Sequence, residues 1–140
     1  MLDDPPAGYL SHNAMHSIVS AWAVTEPLIR RIYLFGSRAR GDNRPDSDID
    51  LAILNGIDPA ELATCIRSTL PRDRQRMEQL AASARDWTFG ENQERWQAAL
   101  AARFDVPVQI ERSRRSDRVV RPSLKRSRVL LYRRASSYLP

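Results

Sequence analysis

Apolar positions along this chain fall into two rhythms, helical spacing near 3.6 residues and short unbroken runs, and the two alternate. Ile18, Val19 and Trp22 share one face of a predicted helix that starts behind Ser11 or Asn13 and runs to about Val24, with Pro27 ending it. Ile32-Tyr33-Leu34-Phe35 is a short apolar run and predicts a buried strand. A polar loop with Asp42, Asn43, Pro45 and Asp46 follows. A second strand is predicted from Asp48 to about Leu54, closed by the turn pair Asn55-Gly56. Asp58 as N-cap, Pro59 at the first helical position and Glu61 in the first turn predict a helix to about Leu70, which Pro71 closes.

The second half is less regular. Residues 72–89 predict a helix with Met77, Leu80 and Ala81 or Ala84 as its apolar stripe, with Trp87 and Phe89 packing against the sheet. Gly90 is expected to break it, and a further helix to run from about Glu91 to Arg103, with Trp96, Ala99, Leu100 and Phe104 at helical spacing. Val106 to Glu111 reads as a third strand and Val129 to Tyr132 as the last, with Val119-Val120 between them able to pair or pack. Residues 1–10 read as irregular, and no internal repeat is visible.

With 140 residues, the chain is expected to be a single domain, 1–140. It has no apolar run near the length of a membrane span, and its N-terminus carries Asp3, Asp4 and two prolines rather than a signal segment. A cytoplasmic protein without membrane contact is the expectation. The single Cys65 cannot form an internal disulfide and reads as a small core residue. His12 and His16 stand four apart on the first helix, without an acidic or cysteine partner nearby in sequence, and read as solvated. Charge is uneven: residues 112–134 hold ten of the 22 Lys and Arg and one acid, Asp117. Such a segment either meets a negative partner (RNA, DNA or an acidic protein face) or is solvated.

The chemistry concentrates in Leu34-Phe35-Gly36-Ser37-Arg38-Ala39-Arg40-Gly41 and, after it, Ser47-Asp48-Ile49-Asp50-Leu51. Residues i and i+2 of a strand project from one face, so Asp48 and Asp50 stand together while Ile49, Leu51 and Ile53 face the other way. Two adjacent carboxylates repel unless a cation lies between them. Mg²⁺ takes oxygen ligands and is commonly held by one or two carboxylates plus substrate phosphates. Gly36 lets the backbone turn sharply and approach a ligand, exposed amides at such a turn favour phosphate, and the Ser37 hydroxyl adds a hydrogen bond. Arg38, Arg40 and Arg44 surround the turn with positive charge.

Gly36-Ser37, ten intervening residues and Asp48-Ile49-Asp50 resemble the signature of the nucleotidyltransferase superfamily that includes DNA polymerase β, and most closely its small prokaryotic members, the minimal nucleotidyltransferases. The specific resemblance covers roughly residues 29–54. It implies an α+β fold, a small mixed β-sheet with helices packed mainly on one face. It implies Gly36 and Ser37 at the triphosphate, with Asp48 and Asp50 as catalytic Mg²⁺ ligands; the charge of Arg40 beside the turn adds it to the candidate nucleotide contacts. It implies transfer of a nucleoside monophosphate, AMP from ATP or another nucleoside triphosphate, to a hydroxyl acceptor. In the small prokaryotic members the acceptor is often a hydroxyl on a helical toxin-like protein encoded nearby, which would make this chain an antitoxin.

Active members of that superfamily usually carry a third carboxylate on the strand after the long helix, and the matching position here is Gln109. Gln cannot take a proton there. Glu111 lies on the same strand face, about 7 Å further along at about 3.3 Å per residue. Three arrangements are open: Glu111 replaces the third carboxylate, the two aspartates suffice with water or the acceptor as base, or the domain binds nucleotide with little turnover. The competing reading is an inactive antitoxin or RNA-binding adaptor that uses its basic C-terminal segment.

Overall fold

A computed structural model describes residues 10–113 and 128–136. Its elements are α1 (His12–Ala23), β1 (Ile29–Phe35), α2 (Ser37–Arg40), β2 (Ile49–Asn55), α3 (Pro59–Ser68), α4 (Arg74–Ala101), β3 (Val108–Arg112) and β4 (Val129–Arg133). The four strands form one mixed sheet in the order β3-β2-β1-β4. β1 runs antiparallel to both β2 and β4, and β2 runs parallel to β3. The fold is therefore α+β, as the sequence led us to expect. Val119-Val120 and most of the basic segment lie outside the described residues.

One face of the sheet carries the core. Ile32 and Leu34 of β1, Ile49, Leu51 and Ile53 of β2, Val108 and Ile110 of β3 and Leu131 of β4 meet Met15, Val19 and Trp22 of α1 and Phe89, Trp96 and Leu100 of α4. Phe89 and Trp96 pack edge to face at 6.0 Å, a favoured aromatic geometry. Tyr33 and Ala52, with Phe35 against them, form a small separate cluster. Asp50 is in register with Phe35, next to that cluster.

Caps fall where the sequence places them. Ser11 accepts from the Ala14 amide, and Asp58 accepts from the Ala60 amide at 2.8 Å with Pro59 opening α3. Several expectations are corrected. Gly90 does not break a helix, because α4 runs unbroken from Arg74 to Ala101. A mid-helix glycine costs only ~1 kcal/mol, less than burying the Phe89, Trp96 and Leu100 side chains returns. Within that helix Trp87 is 68% exposed while Phe89 is buried, since residues two apart do not share a helix face. Leu80 is likewise exposed. Cys65 is exposed, on a helix without a buried residue. His12 is not merely solvated: its Nε2 lies 2.8 Å from the Arg38 carbonyl oxygen. β3 begins at Val108 rather than Val106, and the Ile49 amide donates to the Pro107 carbonyl at its entrance.

Candidate active site

β1 delivers the chain to Gly36 at φ 75° and ψ −158°, a region essentially restricted to glycine. Ser37 then opens the single-turn helix α2, in which the Ala39 and Arg40 amides donate to the Gly36 carbonyl, and Gly41 ends it at φ 84°. Side-chain space confirms the need for glycine at the first of these positions. A Cβ on Gly36 would lie 2.6 Å from Asp50 Oδ2. The Asp50 carboxylate is thus seated directly against the bare backbone of the turn.

Asp48 ends the loop that precedes β2 and is half-buried, like Asp50. Parallel pairing of β2 with β3 sets Asp50 opposite Gln109, and Gln109 Nε2 donates to Asp48 Oδ2 at 3.0 Å. The sequence-predicted residues Gly36, Ser37, Asp48, Asp50 and Gln109 therefore converge on one end of the sheet. Glu111 stands two residues further along β3, exposed and in register with Ala52. It is near enough for its charge to act on Asp50. Partial burial, then the charges of Asp48 and Glu111, push the Asp50 carboxyl above its ordinary range, and Arg40 acts weakly in the opposite direction. Arg40 itself is exposed and donates to Asp42 at 3.1 Å, so its guanidinium is shared between that pair and the site's field.

Arg38 plays a part that sequence reasoning missed. It is 2% exposed, donating through Nε to the Ser47 carbonyl and through its terminal nitrogen to the Pro45 carbonyl, both at 3.0 Å. It therefore ties the loop ahead of Asp48 to the phosphate turn, while His12 holds the Arg38 carbonyl from α1. Nothing in the sequence separates this arginine from Arg40 or Arg44, because all three lie in one polar stretch.

Two half-buried carboxylates side by side, one of them seated against the bare backbone of the turn, fit a Mg²⁺ ion completed by further oxygen ligands. Among the described residues, no group of three or more His, Cys, Asp or Glu could hold a metal by itself. No helix of the described residues is long and apolar enough to cross a membrane.

A comparison with protein families matches residues 19–82 to the family described as Polymerase beta, Nucleotidyltransferase. This stretch runs from α1 to the first turns of α4 and contains the whole Gly36 to Asp50 constellation. The α+β architecture and that match define a polymerase β-like nucleotidyltransferase fold. A toxin–antitoxin crystal structure with AMP-PNP superposes with a TM-score of 0.52 at 20% identity, over 89% of this chain and 75% of that one. A point variant of the toxin–antitoxin MntA–HpeT gives 0.51 at 19% identity, over 90% and 75%. At such identities the likeness is one of fold. No curated protein matches the sequence.

Proposed function

We propose that this protein is a Mg²⁺-dependent nucleotidyltransferase that moves AMP from ATP to a hydroxyl on a partner protein, acting as the antitoxin of a toxin–antitoxin pair. The observation that carries the reading is the seat of the Asp50 carboxylate against Gly36, with Asp48 two residues before it. Phosphate turn and carboxylates then touch the same small volume, as in-line transfer at a metal-held phosphate requires. The partner and the adenine nucleotide are supported by fold alone, through the toxin–antitoxin structures and the AMP-PNP that one of them contains.

In this reading the backbone at Gly36, with the Ser37 and Arg38 amides, receives the terminal phosphates, and the Ser37 hydroxyl donates to one of their oxygens. Asp48 and Asp50 hold Mg²⁺, which would neutralise charge developing on the transferred phosphoryl group. Arg40 adds positive charge at the rim. The acceptor oxygen forms a bond to the α-phosphorus as the bond to the bridging oxygen of the β-phosphate breaks, and pyrophosphate leaves. Gln109 cannot take the acceptor's proton. It keeps Asp48 oriented instead, and the proton passes to water or to Glu111, the carboxylate on that face of β3.

The Gln109–Asp48 bond also supports a second reading, a nucleotide-binding antitoxin with little turnover. The test is incubation of the protein and the product of its neighbouring gene with Mg²⁺ and ATP, followed by intact mass. A rise of the neighbour by one AMP, absent with Asp48→Ala/Asp50→Ala, supports transfer. Unchanged neighbour mass with all four nucleotides, despite a stable complex, establishes the second reading.

A further inference from the structure

Beyond the Tyr33, Ala52 and Phe35 cluster, a cleft of about 1050 Å³ opens between β1, β4, α3 and α4. That is large for a small-molecule pocket, for which ~300–1,000 Å³ is typical. Six arginines line it, against two carboxylates, Asp58 and Glu78. Three of the six have other work. Arg134 holds the backbone carbonyls of Ala23, Glu26 and Ile29. Arg30 lies 3.6 Å from Asp58, and Arg85 packs beneath Gly56. Arg31, Arg128 and Arg133 have no carboxylate partner among the described residues.

Their placement works against the stability of the fold. Antiparallel pairing of β1 with β4 sets Arg31 directly opposite Arg133, and like charges in such a pair are destabilising. Arg128 lies over the Tyr33 ring at 5.0 Å from its centroid, and Arg31 donates to the hydroxyl of the same ring at 3.3 Å. Arg30 Nε is buried and has no hydrogen-bond partner among the described residues, an arrangement that costs free energy until a ligand or water completes it. An anion in the cleft would relieve the Arg31–Arg133 opposition.

We propose that this cleft binds the phosphodiester backbone of a single-stranded nucleic acid. Guanidinium forks match phosphate oxygens. The exposed Arg128, stacked on Tyr33, offers a planar cation on which a base can rest. An acidic peptide would meet the same charge but would gain nothing from that stack. The site is independent of nucleotidyl transfer, and a chain without turnover would keep it.

The probe is a fluorescein-labelled oligouridine of about twelve nucleotides, followed by anisotropy on the full chain between about 50 and 200 mM salt. Two exposed arginines of the cleft are changed together, Arg128→Ala/Arg133→Ala. The control is Arg76→Ala/Arg103→Ala, an equal loss of charge at exposed positions elsewhere. We expect the cleft variant to bind about tenfold more weakly, with a log–log salt slope shallower by about 1.4, the single-strand value for two phosphate contacts. The control should change less than about twofold. Binding of ATP, read separately, should stay unchanged in both variants. Equal losses in the two variants, no binding at the lowest salt, or displacement of the probe by polyglutamate as readily as by unlabelled oligouridine would each overturn the proposal. The last of these would identify an acidic protein face as the ligand.

Discussion

Gln109 donates its side-chain amide to Asp48 Oδ2 at 3.0 Å, across the pair of strands whose register also sets it opposite Asp50. A neutral donor thus stands where the superfamily usually has an acid. It satisfies one Asp48 oxygen and leaves the site with fewer negative charges to balance. Gln109→Glu keeps the length of the side chain and exchanges that donor for a third charge. The free protein should lose thermal stability, since the new carboxylate faces Asp48. Added Mn²⁺ should restore it, and calorimetry should show a second bound ion where the parent binds one. A base regained there is worth ~10²–10⁴ in rate, so label transfer should rise in the same variant. An unchanged ion count would show that Gln109 does not limit the metal site.

Gly36→Ala tests the other half of the site. Positive φ makes the substitution strained, and the added methyl would meet Asp50 Oδ2 at 2.6 Å. The strain is worth ~1–3 kcal/mol, visible as a lowered midpoint in thermal melts. Nucleotide affinity should fall by more than stability alone accounts for, because Asp50 must move away from the turn. A variant that melts lower yet binds ATP as the parent does would separate the glycine from the phosphate site.

The candidate site was legible in the sequence where uncommon residues stand at fixed spacing. Gly36, Ser37, Asp48, Asp50 and Gln109, singled out by their spacing, fall together at one end of the sheet. The strands read well because Ile32 to Phe35 and Ile49 to Ile53 are apolar runs that only a buried sheet absorbs. What escaped depended on contacts distant in sequence. Arg38 reads as one more loop arginine until His12 and the carbonyls of Pro45 and Ser47 surround it. Gly90 reads as a helix breaker, yet the buried residues on either side of it hold α4 together. Trp87 reads as core, but the helix turns it outward.

Arg38→Ala should act at a distance on the proposed metal site. The guanidinium is buried and serves two carbonyls of the loop that leads into Asp48. Leaving buried acceptors unpaired costs ~1–3 kcal/mol, and the loop should loosen. Arg38 is a positioning residue, so Mg²⁺ affinity in the presence of ATP should fall while the nucleotide alone binds nearly as before. Equal weakening of both would assign Arg38 to the phosphate site directly.

Burial first, then the charges of Asp48 and Glu111, disfavour the charged form of the Asp50 carboxyl. That arrangement favours a cation at the expense of the empty fold. Asp50→Asn should therefore raise the melting temperature of the metal-free protein at neutral pH. The same variant should lose the upward shift that Mg²⁺ with ATP gives the parent. A lower melting temperature without metal would show that Asp50 is stabilised by contacts other than a cation.

Asp58 behaves in the opposite sense, and its effect is one of acid stability. The Ser136 hydroxyl donates to both its oxygens at 2.9 and 2.7 Å. That bond first, then the Ala60 amide and the Arg30 charge, hold its carboxyl below the ordinary 3.8. A carboxyl that binds its proton less readily folded than unfolded stabilises the fold above its unfolded value, and the contribution is lost as the pH falls through the folded one. The loss thus lies in the acid range, beginning near 3.8 and continuing below it. Parent and Asp58→Asn should differ most in melting temperature at neutral pH and converge as the pH drops through that range. Ser136→Ala should show part of the same difference, since it removes the first cause and leaves the cap on α3 in place. A gap between parent and Asp58→Asn that stays constant into acid would mean that capping geometry, and not the charge of Asp58, stabilises this corner of the fold.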